Sequence, residues 1–109
     1  MSGPYRLHAD ALPQYVTETL ALRCGSPAAA RAFAELVDLR GTARRIGCPL
    51  RVVDGGQDVT PGVVDGEPLA QEAPHGSYVV VPHGDHLLGN ARADWLPQSA
   101  DWLLDRLAA

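Results

Sequence analysis

The chain has 109 residues, 46% hydrophobic and 20% charged, with a net charge of −4. That length fits one domain with apolar material for a core, although a chain this short buries only about 60–70% of its unfolded surface. All nine basic residues are arginines, scattered with Arg44-Arg45 as the densest spot, so there is no basic stripe of the kind that binds nucleic acid.

No apolar run approaches the roughly 20 residues that span a bilayer. The start, MSGPYRLHAD, has no signal-peptide core. The expectation is a cytoplasmic protein that binds neither membrane nor nucleic acid. Two cysteines without a C-x-x-C spacing argue against a disulfide framework or a zinc site. Cys48, before Pro49 and an apolar run, reads as a buried reduced thiol, and Cys24, at a helix boundary, as the more exposed of the two.

In chain order, Asp10 is a plausible cap for a helix to about Arg23, with Pro13 in its first turn. Cys24-Gly25 ends it. Ser26-Pro27 is a stronger start signal, and the segment after it, AAARAFAELVDL, carries Ala29, Phe33, Leu36 and Val37 at helical spacing. A short helical piece around Thr42–Ile46 leads to Leu50–Val53, a β-rich run between Pro49 and Gly55-Gly56 that reads as a buried strand. Asp54–Gly62 reads as a loop, Glu67–Ala73 as a helix and Ser77–Val81 as a second strand closed by Pro82. The loop HGDHLLGN follows. A final helix is expected over Ala91–Leu107, with Trp95, Leu96, Trp102, Leu103 and Leu107 on its apolar face and Pro97 in its first turns.

The order α-α-β-α-β-α predicts an α/β fold whose two strands run parallel through a crossover helix. Two parallel strands alone make a poor sheet with unpaired edges. The unit is therefore expected to need company: a third strand, a second copy or a missing half.

The stretch CPLRVVDGGQDVTPG and the later PHGDHLLGN resemble the last two core strands of the α/β-hydrolases. In that family an acid follows the penultimate strand and a histidine lies in the loop after the final one. The resemblance assigns those places to Asp58 and His86, and it extends to Asn90 and the tryptophan pair Trp95 and Trp102. It is strongest to the branch of dienelactone-hydrolase-like and pseudooxynicotine-hydrolase-like proteins of bacterial catabolism and secondary metabolism. It covers about Asp38–Leu107. Residues 1–38 are similar to the helical cap of such enzymes, which makes the chain a single truncated domain of cap-like helices (1–38) and C-terminal α/β core (39–109).

Both residues fall in loops at the C-terminal ends of neighbouring parallel strands, the edge where open α/β sheets place ligands. A carboxylate bonded to one ring nitrogen would fix the tautomer of the histidine and leave the other nitrogen to move protons. The departures are as informative. The nucleophile elbow G-x-S-x-G is absent, and with it the expected source of oxyanion-hole donors. None of Ser2, Ser26, Ser77 and Ser99 sits in an elbow context; Ser26 reads as a helix cap and Ser77 as a strand start. Asp54 stands where the family's pattern has a histidine, and it is expected to pair with Arg51 or a partner's arginine, or to be a second acid in the site. Asn90 and Trp95 are weaker candidates for substrate contact, core packing being the plainer reading of the tryptophans. His83 and Asp85 beside His86 allow a metal reading, but no third ligand is evident, so no metal or cofactor is expected. His8 and His75 read as surface residues.

Two classes of function follow. One is a small metabolic enzyme using a His–Asp dyad for cyclisation, dehydration, isomerisation or hydration of a small organic substrate, without a serine nucleophile. The other is a non-catalytic binding or assembly module, or one half of a split serine hydrolase with a serine-bearing partner chain. A homodimer through the sheet edge or the helices is expected, and it is compatible with every reading except the split-partner one.

Overall fold

The computed structural model describes residues 14–39, 41–59 and 66–108, in two compact units, 14–39 and 41–59 with 66–108. Ser2, His8, Asp10 and Pro13, with the cap expected there, lie outside the described residues. In the first unit α1 (Gln14–Cys24) and α2 (Pro27–Leu36) form a helical hairpin. Its turn depends on Gly25, whose φ of 99° is open to glycine and whose N–H closes on the Ala21 carbonyl at 2.9 Å. Ser26 caps α2 as its sequence context predicts: its Oγ accepts the Ala29 N–H at 3.0 Å, and Pro27 takes the first helical position. The helix stops at Leu36 rather than running on to Leu39, because Val37 turns extended and donates back to Ala34. Ala30 and Ala34, one turn apart, are its buried positions, while Phe33 and Leu36 stay exposed.

The second unit holds a 3₁₀ turn (Ala43–Arg45), β1 (Leu50–Gly55), α3 (Glu67–Glu72), β2 (Gly76–Val81), an irregular 3₁₀ segment (His86–Ala91) and α4 (Arg92–Leu107). The strands pair in parallel, from Leu50 opposite Gly76 to Gly55 opposite Val81. The chain is therefore a small mixed α/β protein, as its element order predicts. Three details correct the sequence reading. β1 runs on through Asp54 and Gly55, which were expected in the loop. It is half-buried throughout rather than buried, because among the described residues only one strand flanks it. Cys48 is exposed while Cys24 is half-buried; Cys48 precedes the strand and never enters the sheet.

Strand alternation divides the sheet into two faces. Arg51, Val53 and Gly55 share one with Ser77, Val79 and Val81, and Val52 and Asp54 share the other with Tyr78 and Val80. On the first face Val81, Leu88 and Ala91 form the hydrophobic cluster of this unit, with Val53 and Trp95 packed against it. The cluster is thin. On α4 no residue is fully buried, and Leu96, Leu103, Leu104 and Leu107 are 47–73% exposed. No described helix is long and apolar enough to cross a membrane.

Candidate functional site

The loops after β1 and β2 are tied together by backbone. The Gly56 N–H donates to the Val81 carbonyl and the Gln57 N–H to the Gly84 carbonyl, both at 2.8 Å. Gly55 makes this approach possible, since a Cβ there would run into the carbonyl oxygens of Gly84 and Asp85. The Asp58 N–H then turns back to the Gly55 carbonyl at 3.2 Å. This stitching brings together the two residues that the sequence assigns to the site. His86 Nδ1 and Asp58 Oδ2 are 3.0 Å apart, with the carboxylate 17% exposed and the imidazole 44%.

A carboxylate only accepts, so the bond places a proton on Nδ1. In the neutral imidazole Nε2 then carries a lone pair. His86 makes no other hydrogen bond among the described residues. The imidazole is thus oriented by one nitrogen and available at the other.

The segment that presents His86 is strained. Leu87 (φ 64°) and Leu88 (φ 58°) are consecutive non-glycine residues in the left-handed region, each at a cost of about 1–2 kcal/mol. Leu88 is buried in the cluster while Leu87 is 80% exposed, so packing recovers the cost at one residue only. Leu87→Gly is expected to raise stability by about 0.5–1 kcal/mol, and Leu88→Gly to lower it by about 2 kcal/mol or more. Urea unfolding of the two variants checks the opposite signs.

Asn90 has a different task from the substrate contact expected of it. Its Oδ1 accepts the Asp85 N–H at 2.9 Å and its Nδ2 donates to the His83 carbonyl at 2.8 Å. Both ends of the amide staple the loop around His86. Asp54 also departs from expectation. Its Oδ2 accepts the Gly66 N–H at 2.6 Å and the Tyr78 hydroxyl at 2.8 Å, and it does not pair with Arg51. Three residues apart on a strand, Asp54 and Arg51 point to opposite faces. Asp54 also lines the cleft, and its carboxylate fastens the start of α3 to the sheet.

His86 and Asp58 border a cleft of about 530 Å³ whose apolar wall is Val53, Leu87, Leu88, Trp95, Trp102 and Leu103. Trp95 is both core and wall: it packs on the cluster, and its Nε1–H donates to the Leu88 carbonyl at 2.9 Å. Trp102 lies under the Arg106 guanidinium at 5.2 Å. Two residues that the sequence did not place in the site also line the cleft, Arg51 and Ser99. Their signals were the face Arg51 shares with Val53 and the one-turn spacing of Ser99 from Trp95. Arg51 Nε donates to Ser99 Oγ at 3.3 Å.

Ser99 is the cleft's hydroxyl, yet no bond joins it to His86. Ser26 caps a helix, and Ser77 Oγ donates to the Leu50 carbonyl within the sheet at 3.2 Å. His83 pairs with Asp94 at 2.8 Å, and no cluster of histidine, cysteine and carboxylate side chains able to hold a metal occurs among the described residues. His75 is exposed.

The arrangement can accept or deliver a proton at Nε2 beside an apolar surface, with the ring oriented by Asp58. Among the described residues no serine hydroxyl bonds that nitrogen, as an acyl-enzyme route would need. Compared with known proteins, the chain matches no family model, no curated protein and no solved structure.

Proposed function

We propose that the chain is an α/β-hydrolase-like unit that performs acid–base chemistry on a small organic substrate, with His86 as the acid/base and Asp58 as the residue that orients it. The observation that carries the reading is the 3.0 Å contact between His86 Nδ1 and Asp58 Oδ2 at the rim of an apolar cleft. In this reading Nε2 removes a proton from water or from a carbon beside a carbonyl. The imidazolium, held against Asp58, returns the proton at another atom. Isomerisation, dehydration, hydration and cyclisation all reduce to such steps. No cofactor or metal takes part, and the setting is cytoplasmic. Small aryl ketones and enones incubated with the protein in heavy water test it. Proton NMR is expected to show deuterium entering beside the carbonyl faster than in buffer, and an exchange rate equal to buffer across the set would contradict the reading.

A second reading, assembly, has its own support. Among the described residues the outer edges of β1 and β2 pair with no other strand, and the leucines of α4 named above are exposed. Exposed strand edges and apolar stripes are the surfaces that chains use to associate. We assign them to a homodimer. Light scattering is expected to give twice the chain mass, and a monodisperse monomer would contradict it. A stable complex with a chain bearing the G-x-S-x-G elbow would replace it with the split-hydrolase reading.

A further inference from the structure

Arg51 lines the cleft, and among the described residues no carboxylate meets its charge. Arg51 is half-buried on the sheet face that lines the cleft, and its hydrogen bond is the one from Nε to Ser99 Oγ. The three acids that line the cleft do not pair with it. Asp54 is held by Gly66 and Tyr78, Asp58 faces His86, and Asp85 lies at the His86 end. A guanidinium partly withdrawn from water without a counter-ion is unfavourable, and more notable in a chain with 13 acidic residues against nine arginines.

We infer that Arg51 is the anchor for a carboxylate carried by the substrate, so that the cleft takes small molecules with an apolar or aromatic body and an acidic end. This rests on the acid–base reading for what happens at His86, though not for the anchoring itself. Three features shape it. Nε is committed to Ser99, which leaves the two Nη groups to grip a carboxylate end-on. Ser99 Oγ, as acceptor from Arg51, keeps its own proton to donate to the same carboxylate. Trp95, Trp102 and Leu103 wall the cleft that both ends share.

Charge also sets the direction of binding. Asp58 and Asp85 at the His86 end repel an anion, while Arg51 attracts it. Arg51 lies four residues before Gly55 on β1, about 13 Å along a strand at ~3.3 Å per residue. Even with the reach of the arginine side chain, the anionic group and the reacting atom are thus separated by several bonds of apolar skeleton.

The test is binding of 3-phenylpropionate and its uncharged isostere 3-phenylpropionamide, followed by the fluorescence of the two tryptophans. The wild-type chain is expected to bind the acid about tenfold more tightly than the amide, the size of one charge-assisted hydrogen-bonding interaction. Arg51→Met, which keeps the apolar stem, is expected to equalise the two, and Arg51→Lys to keep part of the preference. His86→Ala is expected to retain the preference in full. Loss of exchange activity in wild type with the acid preference intact would remove the acid–base reading and leave the anchor standing. No preference for the acid in the wild-type chain, including no binding of either compound, would overturn the anchor, as would a preference that survives in Arg51→Met.

Discussion

Replacing His86 with alanine is expected to lower proton exchange by at least about 100-fold, the lower end of what a positioned acid/base contributes. The loss should come with little change in stability. The imidazole is 44% exposed and makes one hydrogen bond, to Asp58. Its removal leaves a carboxylate that is itself partly open to water. Asp58→Asn separates orientation from chemistry. The carboxylate can only accept, which holds the proton on Nδ1; an amide can donate through its NH₂ and so favours the tautomer with the proton on Nε2. That tautomer has no lone pair facing the cleft. Asp58→Asn is thus expected to be as inactive as His86→Ala in deuterium exchange while melting close to the wild type. Exchange in His86→Ala at the wild-type rate would assign any activity to another group.

Gly55→Ala is expected to damage both fold and site. The atoms a Cβ would meet are the carbonyl oxygens of Gly84 and Asp85, so no rotamer change relieves the collision and the two loops must part. Overpacking of this kind costs about 1–3 kcal/mol and sometimes more, a large share of the roughly 5–15 kcal/mol that holds a domain together. The hydrophobic cluster of this unit is small, which leaves little reserve. The parting also stretches the bonds from Gly56 to Val81 and from Gln57 to Gly84 that set the separation of Asp58 and His86. Gly47→Ala is the matched control, since a Cβ there meets nothing within 4 Å. Urea unfolding is expected to show a lowered midpoint for Gly55→Ala alone, with exchange activity lost only in that variant. Equal midpoints for the two would show that the loops tolerate separation.

Much of the fold was legible because punctuation and pattern agree. Ser26-Pro27 marks a helix start, Pro49 and Gly55-Gly56 bracket a β-branched run, and Gly76 and Pro82 bracket another. The parallel pairing follows from the helix between them. Asp58 and His86 were legible by position, each in the loop after a strand. What escaped depends on neighbours distant in sequence. Asp54's partners, Gly66 and Tyr78, follow only once the register sets Val52 opposite Tyr78. Arg51 was expected as a partner for Asp54, whereas its partner is Ser99, brought to it from 48 residues away by α4. Asn90 read as a candidate for substrate contact, because its bonds to the backbone of His83 and Asp85 follow only from the folded loop. The left-handed pair Leu87-Leu88 carries no glycine to announce it, and the strain is imposed by the cluster that Leu88 enters. Cys48 misled because cysteine is so often buried, whereas its place in the turn before Pro49 keeps it outside the sheet.

The dyad can be tested without a substrate. Long-range proton–nitrogen NMR of the His86 ring, at a pH where the imidazole is neutral, reports which nitrogen carries the proton. The 3.0 Å bond from Nδ1 to Asp58 predicts a protonated Nδ1 and a bare Nε2 in the wild type, with the proton moving toward Nε2 in Asp58→Asn. A wild-type ring protonated on Nε2, or a tautomer unchanged in Asp58→Asn, would contradict an oriented acid/base at this site.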